Sequence, residues 1–351
     1  MTPGGAPAAV SGDWPAPAVL GARLAEALAA ALAPLAAGRS HYGLLDYPAY
    51  WNIGDSAIWA GEIPLLGRLH GRPAAYTSQM RYPPAEPGRL LPRDAVLYLQ
   101  GGGNFGDIWP RHQLYREAVI ARHPHHRIVQ LPQSIHYDDP AAVERTRRVI
   151  GAHGDFHLMV RDAESAAFAQ RMFDCPVILA PDAAFAMDMA DCPRATAPQG
   201  ILALLRADKE RRADAAEGRA LLAAAGARIV DWGGPGKLRR RAEKAFVGLG
   251  LVLPFRAAQG LRRAGFDAMA AARVAWGFAR IDAAAVLVTD RLHGHILASL
   301  LGKPHVVIDN SYGKIGRYIA AWGQDSATWL ARDYAEAAEM AVAAVREAEA
   351  G

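Results

Sequence analysis

Cysteine is nearly missing from this sequence, which holds only Cys175 and Cys192 in 351 residues. Two cysteines placed this way form no disulfide framework and no metal-ligand spacing, and they read as reduced cytosolic thiols. Charge of one sign is lacking too. With 39 Lys and Arg against 35 Asp and Glu, the net charge is +4, too mild to argue for nucleic-acid binding by itself. Paired Cys/His ligands and the aromatic strand signatures of RNA- or DNA-binding modules are absent. The N-terminus lacks the basic region and cleavage site of a signal peptide. An Ala-rich stretch from Pro17 to Ala37 is interrupted by Arg23, Glu26 and Pro34, so it reads as a surface helix and not as a membrane span. No internal repeat is visible.

What is present is globular: 52% of residues are hydrophobic and 21% charged. The length exceeds what one hydrophobic core supports and predicts two domains. Short Val-, Ile- and Leu-rich runs alternate with helix-period segments almost from end to end. Strands are expected at Tyr42–Asp46, Ala74–Thr77, Ala95–Gln100, Arg127–Leu131, His157–Arg161 and Val177–Ala180, and then at Ile201–Arg206, Arg228–Asp231, Ala285–Thr289 and His305–Ile308. Helical patterns fall between them, among them Ser56–Leu66, Ala141–Ile150, Ser165–Met172, Ala213–Ala225 and His295–Leu301. Continuous apolar strands alternating with helices imply parallel sheets covered on both faces. The stretch DCPRATAPQG, Asp191–Gly200, is the best linker. The expectation is therefore an α/β protein with two Rossmann-like, doubly wound parallel-sheet domains facing a cleft, residues 1–192 and 193–351. Ligands in such sheets sit beyond the carboxyl ends of the strands.

The residues at those ends are the first candidates. In VLYLQGGGNFGD, Gly101, Gly103 and Gly106 satisfy the G-x-G-x-x-G spacing after an apolar run. A nicotinamide-binding turn would need an acidic residue about 20 positions on, where Arg122-His-Pro-His-His126 stands instead. The glycines therefore read as a tight turn at which the backbone approaches an anion or a sugar closely, with Gly102, Gly103 and Asn104 as contacts. In YWNIGDSAIW, Asp55 or Ser56 can cap the next helix; alternatively Asn52 and Asp55 face the cleft, hold sugar hydroxyls or accept a proton. Arg161 ends a buried strand, where a charge is costly without an anion or a carboxylate. Asp162 or Glu164 could be that partner.

The most informative stretch is VLVTDRLHGHILASLLGKP. Its strand runs through Asp290-Arg291-Leu292-His293-Gly294-His295 directly into a helix, whose free N–H groups and dipole favour an anion. Arg291 adds a bidentate donor for carboxylate or phosphate, and His293 a group that titrates near neutral pH. Lys314 is either a further anion contact or a solvent-facing helix lysine.

The ordered set Asn52–Asp55 (NIGD), Gly101–Asp107 (GGNFGD after a first glycine), Leu131–Ser134 (LPQS), Val160–Asp162 (VRD), Pro181-Asp182 and TDRLHGHILA–LGKPHVVIDNSYGK resembles the polysaccharide pyruvyl transferase family, across roughly residues 40–325. It looks most like the exopolysaccharide branch, which adds ketal-linked pyruvate to sugars of a repeat unit. The resemblance implies a GT-B-like two-domain fold, phosphoenolpyruvate as donor, no cofactor and no metal, and a donor side in the second half with an acceptor side in the first. By that similarity Arg161, Arg291 and His293 match positions that hold and activate the donor. His293 suits the general acid, Asp55 the acceptor base, and the two arginines the charge of carboxylate and phosphate. Gln133, Ser134, Gly294 and His295 complete the substrate contacts. A GT-B glycosyltransferase using a nucleotide sugar is the alternative. Nothing identifies the acceptor sugar.

Segment Gly233–Phe266 has no motif that aligns with the family, and its part Gly236–Phe266 is basic. It holds eight Lys or Arg against the single Glu243, around an apolar core, Phe246–Phe255, far too short to span a bilayer. Basic residues flanking an apolar patch suit an anionic membrane surface. The expectation is a cytoplasmic enzyme, peripheral on the inner face of the plasma membrane through the Lys237–Arg263 segment, acting on a lipid-linked oligosaccharide.

Overall fold

The computed structural model describes residues 13–190, 192, 194–208, 210–234, 237–252, 255–309 and 311–350. Asp191 and Pro193 of the linker, Gly236, Leu253 and Pro254 of the basic segment, and Asn310 lie outside them. The chain divides into two compact units: residues 24–188 with 234–274, and the chain up to Arg23 with 189–233 and 275–351.

The first unit carries β1 (Tyr42–Leu45), β2 (Tyr76–Thr77), β3 (Val96–Leu99), β4 (Gly102–Gly106), β5 (Arg127–His136), β6 (Phe156–Val160) and β7 (Val177–Leu179). Helices α2 (Ile53–His70), α4 (Pro110–Arg122), α5 (Pro140–Gly151) and α6 (Ala163–Met172) connect them, with a short α3 (Pro87–Leu90) before β3. The sheet order is β2-β1-β3-β5-β6-β7, with β4 also beside β5. All pairings are parallel. The order reverses between β1 and β3, the switch point of a doubly wound sheet. Alternate residues serve opposite faces. Leu44, Tyr98, Val129 and Met159 pack in one apolar cluster, and Leu45, Leu97, Ile128 and Leu158 in the other.

Two differences from the expected strands matter. The glycine segment, expected as a tight turn, is a strand, β4. It continues along β5 where β3 stops, and Gly102 absorbs the change of direction with φ +134°. β5 itself runs past Leu131 to His136, its register with β6 breaking between Gln130 and Gln133, where Pro132 has no N–H for the ladder.

The second unit is built from β8 (Ile201–Leu204), α7 (Ala215–Ala224), β9 (Arg228–Val230), β10 (Val286–Thr289), α10 (Leu292–Leu301), β11 (His305–Ile308), α11 (Lys314–Trp322), β12 (Thr328–Ala331) and α12 (Tyr334–Ala350). Its parallel order is β12-β11-β10-β8-β9, reversing between β8 and β10. β12 is not among the expected strands; it is an edge strand whose Leu330 is exposed. Tyr334, Ala337 and Ala341 of α12 cover this sheet. Both units are thus parallel α/β sheets, the pair of Rossmann-like domains of a GT-B-like fold.

The helices α8 (Lys237–Val252) and α9 (Phe255–Asp282) depart from the expected division at 192/193, because residues 234–274 belong to the first unit. Phe266 stacks on Tyr47 at 4.2 Å. Arg262 pairs with Glu86 at 3.3 Å, and Arg273 with Glu243 at 2.8 Å. Of the segment's cations, Arg262 is therefore internal, and Arg263 donates to the Ala74 carbonyl at 2.8 Å. Helix α1 (Pro17–Ala36) is long and apolar enough to cross a membrane by length and composition. Leu20, Leu24, Leu28 and Leu32, spaced by four, are nonetheless buried in protein, so the expected surface helix has one face in the core.

Candidate functional site

At the switch point of the first unit, Asn52 caps α2. Its Oδ1 accepts from the Gly54 N–H at 2.9 Å, while its Nδ2 donates to Asp55 Oδ2 at 2.8 Å. The capping role expected of Asp55 or Ser56 is therefore filled by Asn52, whose side chain is spent on it. Tyr50 donates to the same Asp55 oxygen at 2.7 Å. Burial and the Asp55 charge push the Tyr50 hydroxyl well above its ordinary pKa, which keeps it a donor. Two donors thus fix one oxygen of a half-buried carboxylate. The other, Oδ1, lies 3.6 Å from where a Cβ on Gly102 would stand, so the bare backbone at Gly102 leaves room beside it.

Gly103 and Asn104 are partly exposed next to this carboxylate. Asn104 Oδ1 accepts from Arg116 at 2.8 Å and from Gln133 at 3.0 Å, and its N–H donates to Gln133 Oε1 at 3.1 Å. Gln133, fully buried, is a strut for β4 and not the open substrate contact expected. Ser134 is likewise internal: it donates to Asp162 Oδ2 at 2.9 Å and accepts from Arg161 Nε at 2.9 Å. Arg161 reaches Asp182 at 2.6 Å, with side chains 3% and 1% exposed. Its carboxylate partner is thus Asp182, neither Asp162 nor Glu164.

Sequence reasoning missed Asp46, His112 and Arg116. Asp46 ends β1 with φ +69°, the one positive φ outside glycine among the described residues, and it meets His112 Nδ1 at 3.0 Å. Burial opposes charge on His112, but Asp46 outweighs it and raises the imidazole above its ordinary pKa. The reasoning applied to Arg161, that a charge ending a buried strand needs a reason, would have found Asp46.

In the second unit β10 passes straight into α10. Thr289 Oγ1 donates to the Leu204 carbonyl and accepts from the Arg291 N–H at 3.1 Å. A Cβ on Gly294 would overlap the Thr289 side chain, so the helix can leave the strand this closely only with glycine there. Arg291 is the N-cap residue of α10 and His293 lies on its first turn, half-buried. His295, two residues on, points to the other side of the helix and into the core. Its Nδ1 lies 2.8 Å from His305 Nε2, and burial pushes its pKa well below the ordinary value. The expected substrate contact at His295 is therefore a neutral core histidine.

An ionic cluster surrounds Arg291 at the ends of β8, β9 and β10. Its Nη2 meets Asp231, and Asp208 Oδ2 at 3.7 Å. Arg206 grips Asp208 with Nε at 2.9 Å and Nη2 at 3.0 Å and also reaches Glu210 at 3.1 Å. Lys314 pairs with Glu210 at 2.7 Å, its side chain 11% exposed, so it belongs to this cluster and is no solvent-facing lysine. Burial alone would raise the Asp208 carboxyl, but the Arg206 guanidinium holds it below the usual range. Sequence reasoning does not single out Arg206, Asp208, Glu210 or Asp231, although Arg206 and Asp231 stand directly after strands.

Two doubly wound parallel units, each with charged side chains gathered at its switch point, define an α/β enzyme of GT-B-like composition. Residues 52–312 match the family described as polysaccharide pyruvyl transferase. The chain is similar to EpsO of Bacillus subtilis, named as a putative pyruvyl transferase, with 34% identity over 286 residues, 79% of this chain and 84% of that protein. Pyruvyl transferase 1 of Schizosaccharomyces pombe is 33% identical over 301 residues, 82% of this chain and 70% of its own. A Klebsiella pneumoniae protein of uncharacterized function has the same fold, with a TM-score of 0.50 at 17% identity, covering 80% of this chain and 88% of that one. The chain belongs to the polysaccharide pyruvyl transferase family. It is a transferase.

Proposed function

We propose that this enzyme transfers pyruvate from phosphoenolpyruvate to two hydroxyls of a sugar in an exopolysaccharide repeat unit, forming a ketal and releasing phosphate, with no cofactor and no metal. The observation carrying this reading is the junction of β10 and α10, where Arg291, a helix N-terminus and His293 meet. Phosphoenolpyruvate bears a carboxylate and a phosphate, and a guanidinium beside a helix N-terminus suits both.

In this scheme His293 gives its proton to the methylene carbon, and the positive charge that develops at the central carbon is taken by an acceptor oxygen. Asp55, its Oδ2 already held by Tyr50 and Asn52, takes the proton of that hydroxyl on Oδ1. Phosphate leaves with the C–O bonding pair, the second hydroxyl closes the ring, and its proton returns to the His293 imidazole that gave one to carbon. Arg161, 2% exposed, enters this scheme as the buried partner of Asp182 that supports the end of β6. Replacing His293 with Gln should lower turnover about 10²- to 10⁴-fold while leaving donor affinity within a few-fold. Equal loss in affinity and turnover would remove His293 from proton transfer.

The deciding experiment is thermal unfolding with phosphoenolpyruvate, UDP and GDP, each alone. A ligand at 100 times its dissociation constant adds about 2.7 kcal/mol, a rise of a few degrees. A rise with phosphoenolpyruvate is expected. A rise with a nucleotide and none with phosphoenolpyruvate would move the reading to a nucleotide-sugar glycosyltransferase.

We also propose that the enzyme works in the cytoplasm at the inner face of the plasma membrane, on a lipid-linked acceptor. With Arg262 buried, the surface offered by the basic segment includes Arg240, Arg241 and Lys244, all exposed on α8. Changing these three to Gln should abolish sedimentation with anionic vesicles at low salt, each cation near the surface contributing roughly 1 kcal/mol. Unchanged binding would discard this surface.

A further inference from the structure

Resting on the donor reading above, we propose that Asp231 competes with the donor: its carboxylate occupies the edge of Arg291 that an incoming oxyanion must take, and donor binding moves it aside.

Arg206 and Arg291 stand on neighbouring strand ends but are held differently. Arg206 presents its Nε–Nη2 edge to both oxygens of Asp208, at 2.9 and 3.0 Å, the saturated bidentate pairing of guanidinium with carboxylate. Arg291 meets Asp231 through Nη2 only. Its Nε is buried and has no hydrogen-bond partner among the described residues, in a side chain 9% exposed. Half of the same edge is therefore unspent, and a buried N–H without an acceptor is costly. A carboxylate or phosphate lying across Nε and Nη2 would satisfy both, as Asp208 does for Arg206.

Asp231 is also the partner best able to leave. Its side chain is 32% exposed, against 4% for Glu210 in the neighbouring pair. Away from Arg291 it keeps two backbone donors, Ala207 N–H at 3.2 Å on Oδ2 and Trp232 N–H at 2.5 Å on Oδ1. Asp208, 3.7 Å from Arg291, is bound bidentately to Arg206 and stays. Charge also favours exchange. Arg206, Arg291 and Lys314 face Asp208, Glu210 and Asp231, and the buried Asp290 also acts on both arginines, so an added oxyanion meets no surplus positive charge until one carboxylate withdraws.

Titration calorimetry of the whole chain with phosphoenolpyruvate and with inorganic phosphate tests this. Asp231→Asn keeps the shape and, through its one amide oxygen, one of the two backbone contacts, and removes the competing charge. Both ligands should bind roughly fivefold more tightly, the size expected for loss of one partly exposed ionic contact, and the gain should vanish when Arg291→Ala is added. Asp231→Ser, which keeps an acceptor for the backbone, should show the same gain and serves if the Asn variant does not fold. Unchanged or weaker binding of both ligands in the folded variants would overturn the inference and make Asp231 a positioning residue for Arg291. Tighter phosphate binding without any phosphoenolpyruvate binding, in wild type or variant, would overturn the donor reading and leave the competition at Arg291 standing.

Discussion

Replacing Arg291 with alanine is expected to abolish the rise in unfolding midpoint on adding phosphoenolpyruvate and to weaken donor binding about 10²- to 10⁴-fold. Two charge-assisted hydrogen bonds to one oxyanion are lost, each worth about 1.5–3 kcal/mol, and every 1.4 kcal/mol is tenfold in affinity. The fold should tolerate the change. Asp208 and Asp231, which lose their shared partner, are 31% and 32% exposed, so water screens the charges left behind. The midpoint without ligand should therefore stay within a few degrees of wild type. Lysine at this position restores the charge but not the two-pronged edge and should recover only part of the affinity. An undiminished midpoint rise in the alanine variant would remove Arg291 from the donor site.

Replacing Arg161 with alanine is expected to act on stability, by about 3–5 kcal/mol, because it strands the Asp182 carboxylate in a site 1% exposed. Ser134 loses a donor as well. Asp182→Leu should cost a similar amount, whereas Arg161→Met combined with Asp182→Leu should recover most of the loss, since neither charge is then left unpaired. Denaturant unfolding of wild type, Arg161→Met, Asp182→Leu and the double variant measures the coupling. The curves are fitted with two transitions, because a two-unit chain need not unfold in one step. The same cycle separates structure from donor binding. If Arg161 acted only on the donor, the alanine variant would unfold as wild type does and fail only in the presence of phosphoenolpyruvate.

The contrast between these two arginines shows where reading a sequence stops. Both end apolar strands, and the sequence alone sets Arg291 against an anion and Arg161 against an anion or a neighbouring carboxylate. One proves to be sealed against Asp182 at 2.6 Å; the other keeps a buried Nε unspent at a helix start. Likewise the sequence offers His293 as the general acid and His295 as a substrate contact. Two residues apart along a helix they face opposite ways, and His295 ends up beside His305 in the core. The basic run Arg122–His126, standing where an acidic residue would be needed, argues against dinucleotide binding at the glycine-rich stretch. The conformation of that stretch, a strand paired with the far half of β5, is hidden from sequence because Pro132 argues against a strand continuing there.

The sequence by itself determined the alternation of buried strands and helices, hence two parallel α/β sheets. It also determined the strand-to-helix junction at Arg291 and the family to which the chain belongs. These rest on local chemistry: apolar runs of strand length, caps, and glycine where backbones crowd. Only the tertiary structure decided which carboxylate meets which arginine, and that residues 234–274 fold onto the first unit. Partners such as Asp182 and Arg161, Asp231 and Arg291, or Phe266 and Tyr47 lie tens of residues apart or more. Strand order and helix packing bring them together, and no local pattern of apolar and polar residues encodes that order.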